Sequence, residues 1–155
     1  MKVQVNQLSG IALDWIAASL CGATNLRRSD YSNKLVVDVP DWGRMGLDDF
    51  NYSSNWELAG VIIEKNNISL LRADDGYVVD KAGFTTNERI PQWFAECDGG
   101  TYGTNTSYEG EYYEPQFEIL ESSGVYGETP LIAAMRAYVM AKLGNEVEIP
   151  DVLLK

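Results

Sequence analysis

The chain has 155 residues, which is enough for one domain with a substantial core and too few to expect two. Hydrophobic residues make up 45% of the chain, an ordinary globular value, so general disorder is excluded. The formal charge of −11 argues against direct binding to the phosphate backbone of a nucleic acid. Small molecules, basic proteins and proteins that normally bind DNA remain as partner classes, and acidity also serves solubility alone.

The absence of histidine removes the Ser-His-Asp and Cys-His mechanisms and histidine-ligated zinc. Cys21 and Cys97 are far apart and have no metal-ligand spacing. Cys21 lies in an apolar helical stretch, where we expect a small buried hydrophobic side chain. Asp74 and Asp75 do not match a calcium-loop pattern. We therefore expect no catalytic constellation, no metal and no cofactor.

The first six residues have no signal-peptide pattern, and no apolar run approaches the roughly 18 residues of a membrane span. We expect a cytoplasmic protein that does not insert into a membrane. The sequence is compatible with a homo-oligomer.

In chain order, alternating Val3 and Val5 predict a short first strand. Ser9 then predicts the cap of an apolar helix over residues 10–21, which Gly22 closes. Asp14 is the sole charge of this helix, close enough to its positive N-terminal end to be stabilised there.

Residues 24–34 are polar and turn-like, and residues 35–39 predict a strand that Pro40 ends. Residues 41–56 read as a long irregular segment rich in aromatic, small polar and glycine residues. Long loops inside a compact domain are often functional. This segment supplies the candidate ligand-binding residues Trp42, Tyr52, Asn55 and Trp56, although the two tryptophans could equally cover an edge of the core.

The middle of the chain predicts mostly short elements. Residues 58–65 fit a helix or a strand equally well. Residues 68–71 and 77–79 predict a hairpin around the Asp-Asp-Gly turn at 74–76. Residues 83–96 read as a loop with a short amphipathic turn. The Tyr/Gly-rich residues 98–114 predict an exposed loop or insertion, and residues 116–120 an edge strand.

The last long apolar stretch, residues 129–144, is marked as a helix at both ends. Thr129 can cap the first turn, Pro130 fits the first helical position, and Gly144 favours the stop. At about 100° per residue, one narrow apolar face forms, and Arg136 falls within it. The apolar members of that face are Ile132, Met135, Val139 and Leu143. Beyond the helix, apolar residues between 147 and 154 are expected to dock the tail in an extended form.

Arg136 is the most informative single residue, because an unpaired buried charge costs several kcal/mol. Its guanidinium must find a carboxylate, a carbonyl or a ligand. Asp14 is the candidate structural partner across the two helices. A ligand is the alternative, and the sequence leaves both open.

These patterns predict an α+β fold with two principal helices packed on a small, mostly antiparallel sheet, in a single domain over residues 1–155. Three blocks also resemble a known family: residues 8–15, residues 52–56 leading into 60–65, and residues 129–139 with 143–150. Together they resemble the NinX-like family of small proteins encoded by temperate phages of enteric bacteria. The sequence departs from that pattern between Leu71 and Glu128. The resemblance implies a phage or prophage protein acting in the bacterial cytoplasm, and it implies no reaction.

Three functions compete. The first is an accessory binding protein that sequesters a nucleotide-like small molecule and thereby counters host defence, since aromatic rings can stack on bases and Arg136 can bind a phosphate. The alternative is an acidic protein–protein inhibitor or DNA mimic of a basic host protein. An enzyme is the least favoured, because no nucleophile–base spacing is recognisable.

Overall fold

The computed structural model describes residues 1–73, 76–79, 82–90, 92–97, 102–109, 112–119 and 124–154. Within these residues the chain forms three α-helices and twelve β-strands, and every strand pair is antiparallel. The α+β prediction is confirmed. The helices are α1 (Gly10–Leu20), α2 (Trp56–Lys65) and α3 (Pro130–Leu143). The strands are β1 (Lys2–Gln4), β2 (Thr24–Arg28), β3 (Leu35–Val39), β4 (Gly43–Gly46), β5 (Ser69–Arg72), β6 (Tyr77–Val79), β7 (Thr85–Arg89), β8 (Trp93–Glu96), β9 (Tyr102–Glu109), β10 (Tyr112–Ile119), β11 (Val125–Gly127) and β12 (Glu146–Glu148).

Helix α3 forms the centre of the core. It packs against α1, α2 and the three-stranded sheet β11-β8-β5. The side chains of Ala133, Ala134 and Ala137 are buried, and their small size lets neighbouring backbones approach the helix closely. Met135 and Val139 are fully buried between these layers.

Both ends of α3 are where the sequence predicts them. The hydroxyl oxygen of Thr129 accepts the amide hydrogen of Ile132 at 3.2 Å, and Pro130 occupies the first turn. Gly144 ends the helix with a φ of 87°, a conformation that a residue with a Cβ rarely adopts. The predicted narrow apolar face is wrong. The helix is covered on several sides, and Leu143 is 48% exposed.

The central strand of the three-stranded sheet is β8, which pairs with β11 on one side and β5 on the other. The predicted loop at 83–96 is therefore wrong, because β7 and β8 lie there. The predicted hairpin of 68–71 with 77–79 is also wrong, since β6 pairs with β7. Asp74 and Asp75, which carried the turn prediction, lie outside the described residues.

The remaining strands form smaller sheets. Strand β1 pairs with β12, and Val147 and Ile149 are buried, so the predicted extended docking of the tail is confirmed as far as Ile149. Beyond it the extended form is wrong, because Asp151–Leu153 is a 3-10 helix without buried residues. The order β2-β3-β4 corrects the turn prediction for 24–34, since β2 is a strand, and the irregular segment after 41 begins with β4. In the predicted exposed loop at 98–114, the described backbone is instead the antiparallel pair β9–β10. Residues 98–101 and 110–111, and the exposure predicted for this segment, lie outside what is described.

Helix α1 begins and ends close to its predicted limits. Ser9 stands at the cap position, but its side chain makes no capping hydrogen bond. Leu13 and Ala17 are fully buried toward the core. Cys21, expected to be buried, is exposed.

Candidate functional site

A cavity of about 650 Å³ lies beside Arg136, and we call it the Arg136 cavity. Its wall consists of the N-terminal residues 4–6, strand β11 with its flanking residues 124–128, and single residues from other segments: Ile90, Gln92, Arg136, Met140 and Asn145. The volume is within the range of about 300–1,000 Å³ that is usual for small-molecule sites.

The guanidinium of Arg136 is held from two sides by backbone carbonyls. Its Nε–H donates to the carbonyl oxygen of Leu8 at 2.7 Å, and its Nη1 donates to that of Tyr126 at 2.8 Å. The side chain is only 6% exposed. Since the two carbonyls belong to the N-terminal segment and to β11, they fix the guanidinium in the cavity wall.

The third nitrogen of the guanidinium, Nη2, has a looser partner. It lies 3.5 Å from the Oε2 of Glu128. That distance is longer than the roughly 2.7–2.9 Å of a charge-assisted hydrogen bond. The Glu128 side chain is 70% exposed, so this carboxylate faces solvent while its partner is buried.

A glycine brings β11 against α3 and so places the Tyr126 carbonyl near Arg136. A Cβ added to Gly127 would lie 2.4 Å from the backbone nitrogen of Ala133, a separation that real Cβ atoms do not show. Only glycine permits this approach. The need for glycine at position 127 therefore also determines where the Tyr126 carbonyl can hold the Arg136 guanidinium.

The uncharged part of the cavity wall is rich in amides. Four amide side chains, from Gln4, Asn6, Gln92 and Asn145, belong to residues that line the cavity. Each amide offers both donors and an acceptor. Tyr126 also lines the cavity, and its ring is partly exposed and packs edge-to-face on Phe94, with centroids 5.2 Å apart. Amide groups at these positions can hydrogen-bond a flat polar molecule.

Of the five residues predicted to bind a ligand, only Arg136 lines this cavity. Trp42 is 76% exposed and Trp56 is 56% exposed at the start of α2. Asn55 caps α2, because its Oδ1 accepts the amide hydrogen of Glu57 at 2.9 Å. Tyr52 is buried. The cavity does not bring these four residues together with Arg136.

Tyr52 belongs to the core. Burial raises the pKa of Tyr52 well above its ordinary value, with the nearby Cys21 contributing in the same direction. Burial likewise raises the pKa of Tyr138 to about 12. Both hydroxyls therefore stay protonated at neutral pH, which suits packing better than proton transfer.

The predicted pairing of Asp14 with Arg136 is wrong. Asp14 is buried, and its Oδ1 accepts the backbone amide hydrogen of Ser53 at 2.7 Å. Arg136 takes its contacts from Leu8, Tyr126 and Glu128. Asp14 thus anchors the turn before α2, whereas the arginine draws on backbone carbonyls, a partner class that the sequence had left open.

The sequence reasoning missed Glu128 and the four amides. Glu128 directly precedes the cap of α3 and is eight positions from Arg136, beyond the three or four positions at which helix side chains pair, so no local rule connects the two. The amides come from three segments that are far apart in the chain, at residues 4–6, 92 and 145. No local pattern connects them, so only the fold could bring them together.

A comparison with protein families matches residues 4–142 to the family described as Bacteriophage P22, NinX. The match covers most of the chain and includes both Glu128 and Arg136. The chain belongs to the NinX family of bacteriophage P22. The resemblance inferred from the three sequence blocks is therefore confirmed, whereas a comparison with curated proteins finds no match.

Two further features of the described residues bear on this phage family member. Across the described ranges, no helix has the length and apolar character needed to cross a membrane. Within the same ranges, no group of three or more His, Cys, Asp or Glu side chains could hold a metal ion.

Proposed function

We propose that this NinX family member binds a small, nucleotide-like ligand in the Arg136 cavity. The observation that carries the proposal is a buried guanidinium in the wall of a 650 Å³ cavity that four amide-bearing residues also line. A purely structural arginine would need its carbonyl partners but no adjoining cavity of this size.

The amides support recognition of a base-like group. Proteins that bind an isolated nucleobase read its edge with hydrogen bonds and hold its face against aromatic or apolar side chains. Gln92 and Asn6 offer such hydrogen bonds, while Tyr126, Ile90 and Met140 offer aromatic and apolar surface. The combination fits a ligand with one flat polar part and one acidic part.

The side chains favour binding over catalysis. The described residues that line the cavity include no serine, threonine, cysteine or lysine. Among the same residues the one carboxylate, on Glu128, is largely exposed and lies 3.5 Å from the guanidinium of Arg136. We therefore propose a binding protein rather than an enzyme.

Membership of a phage family supports a biological setting for this activity. We propose that the protein acts in the cytoplasm of the bacterial host and sequesters a nucleotide-like signal of host defence. The phage family and the binding chemistry of the cavity support this role by analogy.

The experiment is ligand-observed NMR with the four common ribonucleosides and their 5′-monophosphates. Asn6 and Gln7 make a matched pair of variants, because both are exposed amides in one 3-10 turn, Val5–Gln7, and only Asn6 lines the cavity. We expect at least one compound to bind. Asn6→Ala should weaken it by about tenfold, the loss of one good hydrogen bond, and Gln7→Ala should not. Binding of none of the eight compounds would contradict the proposal.

The inhibitor alternative has one observation in its favour. Trp42 and Trp56 are both largely exposed, and exposed Asp48 and Asp49 lie between them in the sequence. Tryptophans are frequent energetic centres of protein interfaces, and the charge of −11 would speed association with a basic partner. A pull-down from host lysate at low and high salt tests it. Salt-sensitive recovery of a basic protein that Trp42→Ala abolishes would favour this function, and no recovery at low salt would count against it.

A further inference from the structure

We propose that Glu128 occupies an anion subsite in the empty protein, and that the acidic group of the ligand, a carboxylate or a phosphate, takes its place on Arg136. The inference rests on the proposed function, because it concerns the same cavity. It adds the residue that the ligand must displace and the chemical group that displaces it.

The three nitrogens of the guanidinium are bonded unequally. Nε and Nη1 donate at 2.7 and 2.8 Å to fixed backbone carbonyls, whereas Nη2 lies 3.5 Å from Glu128. Among the described residues, Nη2 makes no hydrogen bond. One edge of the guanidinium is therefore positioned by the fold, while another edge is left for an acceptor that can come closer than Glu128 does.

The two charges also differ in their exposure to solvent. Glu128 is 70% exposed and Arg136 is 6% exposed. A solvent-facing carboxylate keeps most of its hydration and gains little from an ion pair, so it can leave readily. A buried guanidinium without a counter-charge is unfavourable, so we expect Glu128 to leave when another anion replaces it.

The exchange would also change the local charge of the cavity. Glu128 and Arg136 are the two charged residues in the described wall of the cavity. When Glu128 swings outward, the cavity changes from neutral to singly positive. That local charge answers the difficulty that the whole chain, at −11, should repel an anion. A guanidinium already fixed by two carbonyls also loses little freedom on binding a two-oxygen acid.

The experiment uses inorganic phosphate and acetate as probes, with the Arg136 Nε–H signal in a ¹H–¹⁵N spectrum as the readout. Glu128→Gln keeps the shape of the side chain and removes its charge. Glu57→Gln is the matched control, because Glu57 is exposed on α2, outside the cavity wall, and the variant has the same net charge. The spectrum itself reports whether each variant is folded.

We expect phosphate or acetate to shift the Arg136 signal in all three proteins. Glu128→Gln should lower the anion concentration at half-saturation by about tenfold, if the wild-type carboxylate occupies the subsite about 90% of the time. Glu57→Gln should leave that concentration unchanged. A stronger response to phosphate indicates a phosphorylated ligand, and a stronger response to acetate indicates a carboxylic acid.

The inference is overturned if neither anion shifts the signal in Glu128→Gln, or if the wild type and both variants have the same half-saturation. Nucleoside binding that Asn6→Ala weakens, together with an absent anion response, would leave the cavity function standing and remove the Glu128 exchange. An anion response that Glu128→Gln strengthens, with no binding of nucleosides or nucleotides, would support the exchange and reject the nucleotide-like ligand.

Discussion

The Nε–H of Arg136 donates to the carbonyl oxygen of Leu8 at 2.7 Å, although the two residues are 128 positions apart in the chain. Through the same guanidinium, Nη1 reaches the carbonyl oxygen of Tyr126. One side chain on the central helix therefore ties the N-terminal segment to strand β11. The arginine is a structural connection as well as part of the cavity wall.

Replacing Arg136 with methionine should destabilise the protein by roughly 2–4 kcal/mol. Methionine keeps the apolar stem but leaves the two carbonyls of Leu8 and Tyr126 without their donor, at about 1–3 kcal/mol for each buried group. Chemical denaturation measures the loss. Arg44→Met, at an exposed position, is the control and should stay within about 0.5 kcal/mol of the wild type. A similarly small effect at Arg136 would show that its hydrogen bonds are dispensable.

Gly127→Ala and Gly60→Ala should act in opposite directions. At Gly127 the added methyl group would lie 2.4 Å from the Ala133 nitrogen, so β11 must shift away from α3, and we expect a loss of about 1–3 kcal/mol. Gly60 lies within α2, and its added methyl group meets nothing within 4 Å. Alanine there should stabilise the helix by about 0.5–1 kcal/mol. Thermal unfolding of the two variants decides, and a stable Gly127→Ala protein would refute the close packing of β11.

Much of the fold is predictable where local signals agree. Helix α3 has a capping threonine, a proline at its first position and a glycine at its end, and its limits are correct. Strand β8 is the opposite case. Phe94, Ala95 and Glu96 are consecutive and all buried, so side chains on both faces of the strand are covered. A strand covered on both faces has no alternation for a sequence pattern to reveal.

The candidate site was likewise predictable only where a local sequence signal exists. Arg136 could be identified from the sequence, because a charge inside an apolar helical stretch requires a partner. Its actual hydrogen-bond acceptors could not, since Leu8 and Tyr126 contribute backbone carbonyls, which every residue carries. Asp14 was the carboxylate that the sequence suggested as a partner, but in the fold it accepts the Ser53 amide hydrogen instead.

Asp14 and Asp38 should give the stability of the protein opposite dependences on pH. Burial raises the pKa of Asp14 above its ordinary value of 3.8, and the hydrogen bonds from Ser53 offset this only in part. The folded state therefore holds this proton more tightly than the unfolded state. The stability from Asp14 is fully present below pH 3.8 and is lost as the pH rises through the folded pKa.

The side-chain hydrogen bond from Arg27 lowers the pKa of Asp38. The stability that Asp38 contributes is therefore present above its ordinary pKa of 3.8 and is lost as the pH falls through the folded pKa. Denaturation at a series of pH values should show that the wild type loses stability relative to Asp14→Asn as the pH rises. Relative to Asp38→Asn, the wild type should gain stability as the pH rises. The same slope for both pairs would contradict the burial of Asp14.

If the Arg136 cavity holds a small ligand, as we propose, native mass spectrometry of protein purified from bacterial lysate should detect it. Gln92→Trp puts a large ring on the cavity wall, and Lys65→Trp puts the same ring on exposed α2, away from the cavity. We expect the wild type and Lys65→Trp to carry the same small molecule, released on denaturation, and Gln92→Trp to carry none. Equal retention by all three proteins would contradict the proposed ligand site. The same holds for a wild type that retains no small molecule and acquires none from a lysate metabolite extract.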